Sequence, residues 1–383
     1  MRIIIAPDSF KESMSALEAA RAMERGVRKA CPNADTKIMP MADGGEGTAE
    51  ALVGATGGRM VEVTVTDPLG RPVSAKYGIL GDGATAVIEM ASASGLPLVP
   101  KAERNPMLTT SFGTGELILR ALNSGARRLI VAVGGSATVD GGSGLAAALG
   151  ARLLDSEGGP IPQGGGGLVK LARIDLSGLD PRLKECQCRV ACDVTNPLCG
   201  PTGAATVYGP QKGATPEMIP MLDAGLARYA RAVRDTTGRC LADVPGMGAA
   251  GGLPLSLAAF LNSEMKPGIE IVIDAVDFKR RIQGADLVIT GEGRLDAQSA
   301  FGKTVCGVSR AGREAGVPVF AIAGSVEKGA DALLFEGLTA WFSMVSGPMT
   351  LEDAMSRAQE LAANCAEQAV RAFLASKRAG AGD

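Results

Sequence analysis

Acids and glycines gather where short apolar runs of this chain end. Asp8-Ser9-Phe10-Lys11 follows the first run, Asp43-Gly44-Gly45-Glu46-Gly47-Thr48 the second, and Gly134-Gly135-Ser136-Ala137-Thr138-Val139-Asp140-Gly141-Gly142 the third. Two further runs deliver Gly291-Glu292-Gly293-Arg294-Leu295-Asp296 and Gly324-Ser325, and a cysteine-lined run delivers Asp193-Val194-Thr195-Asn196-Pro197-Leu198. Carboxylates in this number suit metal-dependent group transfer, because hard oxygen ligands hold a divalent cation and one acid remains to take a proton. A site that merely bound an anionic nucleotide would have little use for Asp8, Asp43, Glu46, Asp193, Glu292 and Asp296 together.

Glycines ahead of a helix let backbone N–H groups approach a phosphate, and the helix dipole adds to the attraction. Residues 134–142 have that form, though a tight strand-to-helix turn that needs positive φ would look the same. Gly134, Gly135, Ser136 and Thr138 are thus candidate phosphate ligands, together with Gly293 and Lys303. Gly302-Lys303-Thr304 opens a helix in the manner of a P-loop, but G-x-x-x-x-G-K-[ST] requires glycine at position 297 and the chain has Ala297, so a Ras-like fold is not predicted. Lys303 keeps the means to reach phosphate oxygens, or is simply an exposed lysine at a helix start. Asp193 could accept a hydroxyl proton, or hold Mg²⁺ with Asn196; an Asx turn before Pro197 is the plainer alternative.

The composition narrows the chemistry. The chain has 383 residues and no histidine, which excludes Ser-His-Asp and Cys-His catalysis and removes the commonest transition-metal ligand. Phosphoryl transfer tolerates that loss, since it depends mainly on positioning and charge. A net charge of −2 argues against a nucleic-acid or anionic-membrane surface and for a small-molecule partner. The start of the chain is apolar too briefly for an export signal, and no apolar run reaches the roughly 18 residues of a spanning helix. Eight cysteines without repeated spacing predict reduced thiols and a cytoplasmic location. Cys186, Cys188, Cys192 and Cys199 invite a zinc reading but lack a CxxC pair; alternation with Val190 predicts the buried face of a strand instead. No glycine fingerprint follows the first run, which weighs against a Rossmann dehydrogenase, and Phe10 stands where an aspartyl-phosphate phosphatase would carry its second acid.

These residues need elements to position them. Apolar runs at 3–6, 37–41, 129–133, 287–290, 317–323 and 341–345 predict parallel strands, and apolar spacing at 16–30, 115–122, 305–315 and 351–375 predicts helices between them. That alternation implies a doubly wound α/β sheet. Residues 60–91 hold three alternating runs with a turn at Asp67-Pro68-Leu69-Gly70, which predicts antiparallel pairing. Residues 158–167 predict a flexible glycine-rich loop, 216–237 a long helix, and the last seven residues a frayed end. The expected division is a parallel-sheet α/β domain from 1–62 plus 284–383, with 104–148 assignable to it as well, and a mixed α/β domain inserted over 63–283.

Together the blocks at 6–11, 40–48, 134–142, 193–198 and 290–296, in order and almost end to end, resemble the bacterial-type glycerate kinase family, the group similar to glycerate 2-kinase. Glu12 departs from the glycine that members of that family often carry after the first lysine. The resemblance implies two α/β domains, one flavodoxin-like, with ATP and Mg²⁺ as co-substrate and metal and D-glycerate as acceptor. It implies glycerate in a cleft with its carboxylate on Lys11 and Arg294, near Asp8, Ser9 and Asn196. Asp193 would be the base; Asp43, Glu292 and Asp296 the metal acids; and residues 134–138, Gly293 and Lys303 the phosphate ligands. Transfer to the 2-hydroxyl is the family's chemistry. The residues themselves leave open the 3-hydroxyl, another small hydroxy acid, a noncatalytic metabolite-binding regulator and a phosphatase.

Overall fold

The computed structural model describes residues 1–300 and 302–379, and the chain divides into two compact units. The first comprises residues 1–43, 50–57 and 268–383; the second, residues 44–49 and 58–267. Residues 104–148 therefore belong to the second unit and 268–283 to the first. In chain order the strands are β1 (Arg2–Ile5), β2 (Asp35–Ile38), β3 (Arg59–Thr66), β4 (Pro72–Ile79), β5 (Thr85–Glu89), β6 (Arg128–Ala132), β7 (Arg152–Leu154), β8 (Arg173–Asp175), β9 (Gln187–Ala191), β10 (Glu264–Lys266), β11 (Leu287–Leu295), β12 (Val319–Val326) and β13 (Ala340–Ser343).

The first unit is a five-stranded sheet in the order β13-β12-β11-β1-β2, every pair parallel. Numbered within the unit this is 2-1-3-4-5, the flavodoxin-like arrangement that brings ligands to the carboxyl ends of its strands. Ile3, Ile4 and Ile5 of β1 are all fully buried, as befits a central strand covered on both faces. Helix Ala16–Ala30 begins at a capping box, Ser15 Oγ accepting from Glu18 N while Glu18 accepts from Ser15 N at 2.8 Å. Its buried stripe, Ala16, Ala19, Ala20, Met23 and Val27, follows the 3.6-residue period and packs on the last helix, Ala358–Ala379. The two backbones touch at Gly26, where an added Cβ would lie 2.0 Å from the Ala363 carbonyl oxygen.

Predicted helix 351–375 is two helices, Leu351–Ser356 and Ala358–Ala379, because Arg357 leaves the helical region at φ −104°, ψ 12°. The expected frayed end is helical through Ala379, Lys377 pairing with Asp286; residues 380–383 lie outside the described residues.

The second unit is a six-stranded mixed sheet in the order β10-β9-β6-β5-β4-β3. β3, β4 and β5 pair antiparallel, and β5, β6, β9 and β10 run parallel. Predicted strand 129–133 is β6 of this sheet, so five of the six predicted parallel strands make the first sheet. At the turn after β3, Asp67 Oδ1 accepts from Leu69 N at 2.7 Å and Arg71 N at 2.8 Å, an Asx turn closing the hairpin. Residues 158–167 correct the expectation of a loose loop. Gly164, Gly165 and Gly167 are buried, and an added Cβ at Gly167 would lie 1.8 Å from Pro162 O, so glycine here permits close packing. The predicted long helix is Met218–Thr237, which ends at Gly238 in the left-handed region.

Candidate active site

Beyond the carboxyl ends of β1 and β2, and within the last part of β11, the first unit carries Asp8, Asp43 and Glu292. Asp8 N donates to Gly291 O at 2.8 Å, so β1 and β11 stay paired up to the site and bring Asp8, just past the end of β1, beside Glu292 within the last part of β11. Asp8 is 9% exposed; burial, then the charge of Asp43, pushes its carboxyl up to about 6 against hydrogen bonds from Thr304 and Ser9. Glu292 is pushed up to about 7, chiefly by burial; Ser299 and Lys303 pull it down, and Asp8 and Asp43 push it further up. Its Oε1 is buried with no hydrogen-bond partner. Asp8 and Glu292 thus share a partly dry place with the negative charge of Asp43, the setting in which a raised carboxyl stays partly protonated or waits for a cation.

Asp296 directly follows β11 and is occupied locally. Burial alone would raise it, but Gln298 N donates to it at 2.8 Å, and the charge of Lys303 and a hydrogen bond from Arg294 help to hold it below the ordinary carboxylate range. Arg294, predicted to clamp a carboxylate, pairs with Asp296 at 3.2 Å and Glu327 at 3.3 Å on the surface. Lys303 is half-buried and caps helix Thr304–Ala315, whose first residue Thr304 donates to Asp8. Lys11 is exposed, and Glu12 beside it takes φ 62°, the left-handed region. Among the described residues no three acids or cysteines form a metal-holding group.

The second unit carries the remaining candidates. Gly134 and Gly135 are exposed, Gly135 at φ 72°, whereas Ser136 is 7% and Thr138 0% exposed. The loop is pinned on its inner side: Leu96 N donates to Gly135 O at 2.8 Å, Ala137 N to Ser94 O at 2.9 Å and Thr109 Oγ1 to Ala137 O at 2.8 Å. Asp140, fully buried, accepts from Ser111 N and Oγ and from Gly142 N and Gly144 N, and so organises the turn into helix Ser143–Ala148. Gly47 N and Ala49 N donate to Glu89, which caps helix Thr48–Thr56. Glu46 is exposed.

Asp193 is exposed just beyond β9, as expected of a strand-end acid. Asn196 is engaged at both ends of its amide, Nδ2 donating to Thr202 O and Oδ1 accepting from Tyr208 Oη, each at 2.8 Å, and so it fastens its loop. The cysteine run is a strand with Cys188 and Val190 buried, and all eight cysteines are free. Burial pushes Cys188 up to about 12, which leaves a neutral thiol packed as a hydrophobe.

Lys212 is the residue that sequence reasoning missed. It is 2% exposed, and its Nζ donates to Ser136 Oγ at 2.6 Å and Thr138 O at 2.7 Å. No strand end or glycine motif marks it. Ser299, fully buried beside the acids of the first unit, was also unmarked, whereas Thr304, equally buried, is the threonine of the predicted helix start.

The sequence model described as the Glycerate kinase family matches residues 3–374. The chain is 56% identical to the glycerate kinase of Bacillus subtilis (strain 168) over 360 residues, 94% of each chain. It is 52% identical to the glycerate 2-kinase of Escherichia coli (strain K12), again over 94% of each. The crystal structure of a protein assigned as glycerate kinase 2 from Salmonella typhimurium LT2 superposes with a TM-score of 0.91, covering 99% of both chains at 52% identity.

Proposed function

The chain belongs to the glycerate kinase family, and from that premise we propose that it transfers the γ-phosphoryl group of ATP to the 2-hydroxyl of D-glycerate, giving 2-phosphoglycerate. The observation that carries this reading is the end-to-end identity of 52% to the protein named glycerate 2-kinase. The two clusters supply chemistry that fits it.

Phosphoryl transfer asks for an oriented hydroxyl, a proton acceptor and neutralised phosphate charge. In our reading Asp193 takes the proton of the 2-hydroxyl as its oxygen bonds to the γ-phosphorus and the bond to the ADP oxygen breaks. Its exposed position at a strand end suits a base that must reach a mobile substrate. Lys11 and Arg294 draw the glycerate carboxylate, with Asp8 and Ser9 near its hydroxyls, while Asn196 holds the loop that carries Asp193. Gly134, Gly135, Ser136 and Thr138 meet the phosphates in the second unit, and Gly293 and Lys303 offer an N–H and a cation in the first.

The acids of the first unit fit Mg²⁺ in kind: carboxylate oxygens are hard donors, and Glu292 Oε1 is buried without a partner. Held by Asp43 and Glu292, such an ion would neutralise phosphate charge and relieve the repulsion that adds to burial in raising Asp8 and Glu292. Asp296, spent on its own turn and on Arg294, we read as a support of that loop. The eight free cysteines fit a reducing cytoplasm, and no described helix is long and apolar enough to cross a membrane.

The test is ATP-dependent phosphorylation of D-glycerate with Mg²⁺, the product identified by NMR. 2-Phosphoglycerate is expected. The 3-phosphate would overturn the regiochemistry, and ATP consumption only with another hydroxy acid would overturn the substrate while leaving the kinase in place.

A further inference from the structure

Lys212 ends the short turn Pro210–Lys212 and lies beneath the 134–138 loop. Its two hydrogen-bond acceptors, a serine hydroxyl and a backbone carbonyl, are both neutral. Among the described residues it forms no ion pair. Asp140 is the one charged group it feels, and that carboxylate is already occupied by donors from Ser111, Gly142 and Gly144. Removing an ammonium from water without a countercharge is costly, and burial accordingly pulls Lys212 down to about 7, with Asp140 only partly opposing. The loop has unspent polar groups as well. Ser136 Oγ accepts from Lys212 and so keeps its own proton to give, while Thr138 Oγ1 is buried with no partner.

We propose that Lys212 is the positioning cation of the 134–138 loop, and that its missing countercharge is a phosphate group of the bound nucleotide. The inference rests on reading residues 134–138 as phosphate ligands. Lys212 does not touch the nucleotide; it fixes Ser136 and Thr138 in place and adds buried positive charge beneath them. Without ligand the lysine loses its proton readily around neutrality, and a phosphate above it restores the preference for the charged form. Nucleotide binding therefore takes up a proton, and affinity is full below about pH 7 and falls as pH rises beyond it.

Calorimetry on the wild-type protein tests this directly, with Mg-ATP titrated near pH 8 in two buffers of different ionisation enthalpy and glycerate absent. Uptake of about half a proton or more per nucleotide is expected; no uptake would overturn the proposal. Lys212→Met should lower kcat/KM for ATP by about tenfold or more, leave KM for D-glycerate within about twofold and abolish the dependence above pH 7, with partial rescue in Lys212→Arg. A purely structural lysine would lower Tm and kcat yet keep the pH profile of KM for ATP, and a selective rise in KM for glycerate would assign the loop to the other substrate; either result sinks the proposal. If Lys212→Met does not fold, proton uptake by the wild type decides. Binding of Mg-ATP with proton uptake, but without turnover of any hydroxy acid, would uphold the inference and refute the kinase reading.

Discussion

Glu292→Gln should make the metal-free protein more stable near pH 8 while it removes activity. Burial is the main reason its carboxyl moves from 4.5 to about 7, and Asp8 and Asp43 add to the shift against Ser299 and Lys303. A raised carboxyl pKa means that the folded state holds a proton the unfolded chain has released. Between about pH 4.5 and 7 the folded state binds more protons, so this group's contribution to stability falls as pH rises and stays unfavourable above that window. At about 1.36 kcal/mol per pKa unit the full shift corresponds to about 3 kcal/mol, an upper bound, because Glu292 keeps some solvent access and shares its charge with two neighbours. A gain of about 1–2 kcal/mol for glutamine, which has similar shape and no charge, is the working figure. For a chain this long that amounts to roughly 1–3 °C in Tm. The assay is thermal unfolding in EDTA, wild type against variant, near pH 8 and near pH 5. The reasoning requires a gain at the higher pH and almost none at the lower, where the wild-type carboxyl is already protonated. An unchanged or lower Tm near pH 8, or an equal gain at both, would refute it.

Asp193→Ala should lower kcat by about 10² or more while far-ultraviolet dichroism and Tm stay near wild type, since the side chain is exposed; retained kcat would remove it from the base role. Glu12→Gly should raise stability by up to about 1 kcal/mol, because a left-handed φ of 62° strains any residue with a Cβ, and urea unfolding would read the gain. Gly26→Ala should cost about 3 kcal/mol or more, or prevent folding, since its Cβ would meet the Ala363 carbonyl at 2.0 Å where two helices touch; expression yield and Tm decide.

What the sequence made legible follows from range of interaction. β1, β11 and β12 were readable because a parallel strand covered on both faces is a continuous apolar run, and helix Ala16–Ala30 because Ser15 and Glu18 write its start locally. The turn at Asp67 was readable for the same reason, its bonds closing within four residues. β6 carries the same apolar signature, yet its sheet was not legible, since strand partners are chosen by tertiary contacts that no local window contains. The glycines of 158–167 read as looseness because glycine permits close packing as readily as mobility; only the neighbour, Pro162 O or Val139 O, distinguishes the two. In the site, spacing identified the acids that end strands but not how each is spent. Glu292 and Asp296 stand four residues apart with the same chemistry, and burial raises one while backbone donors and cations lower the other. Lys212 marks the limit of such reading. Its partner Ser136 is 76 residues away, and nothing in Gly209-Pro210-Gln211-Lys212-Gly213 distinguishes a buried lysine from a solvated one. A charge whose importance lies in the absence of a countercharge leaves no sequence pattern, because what defines it is the surroundings that the fold assembles.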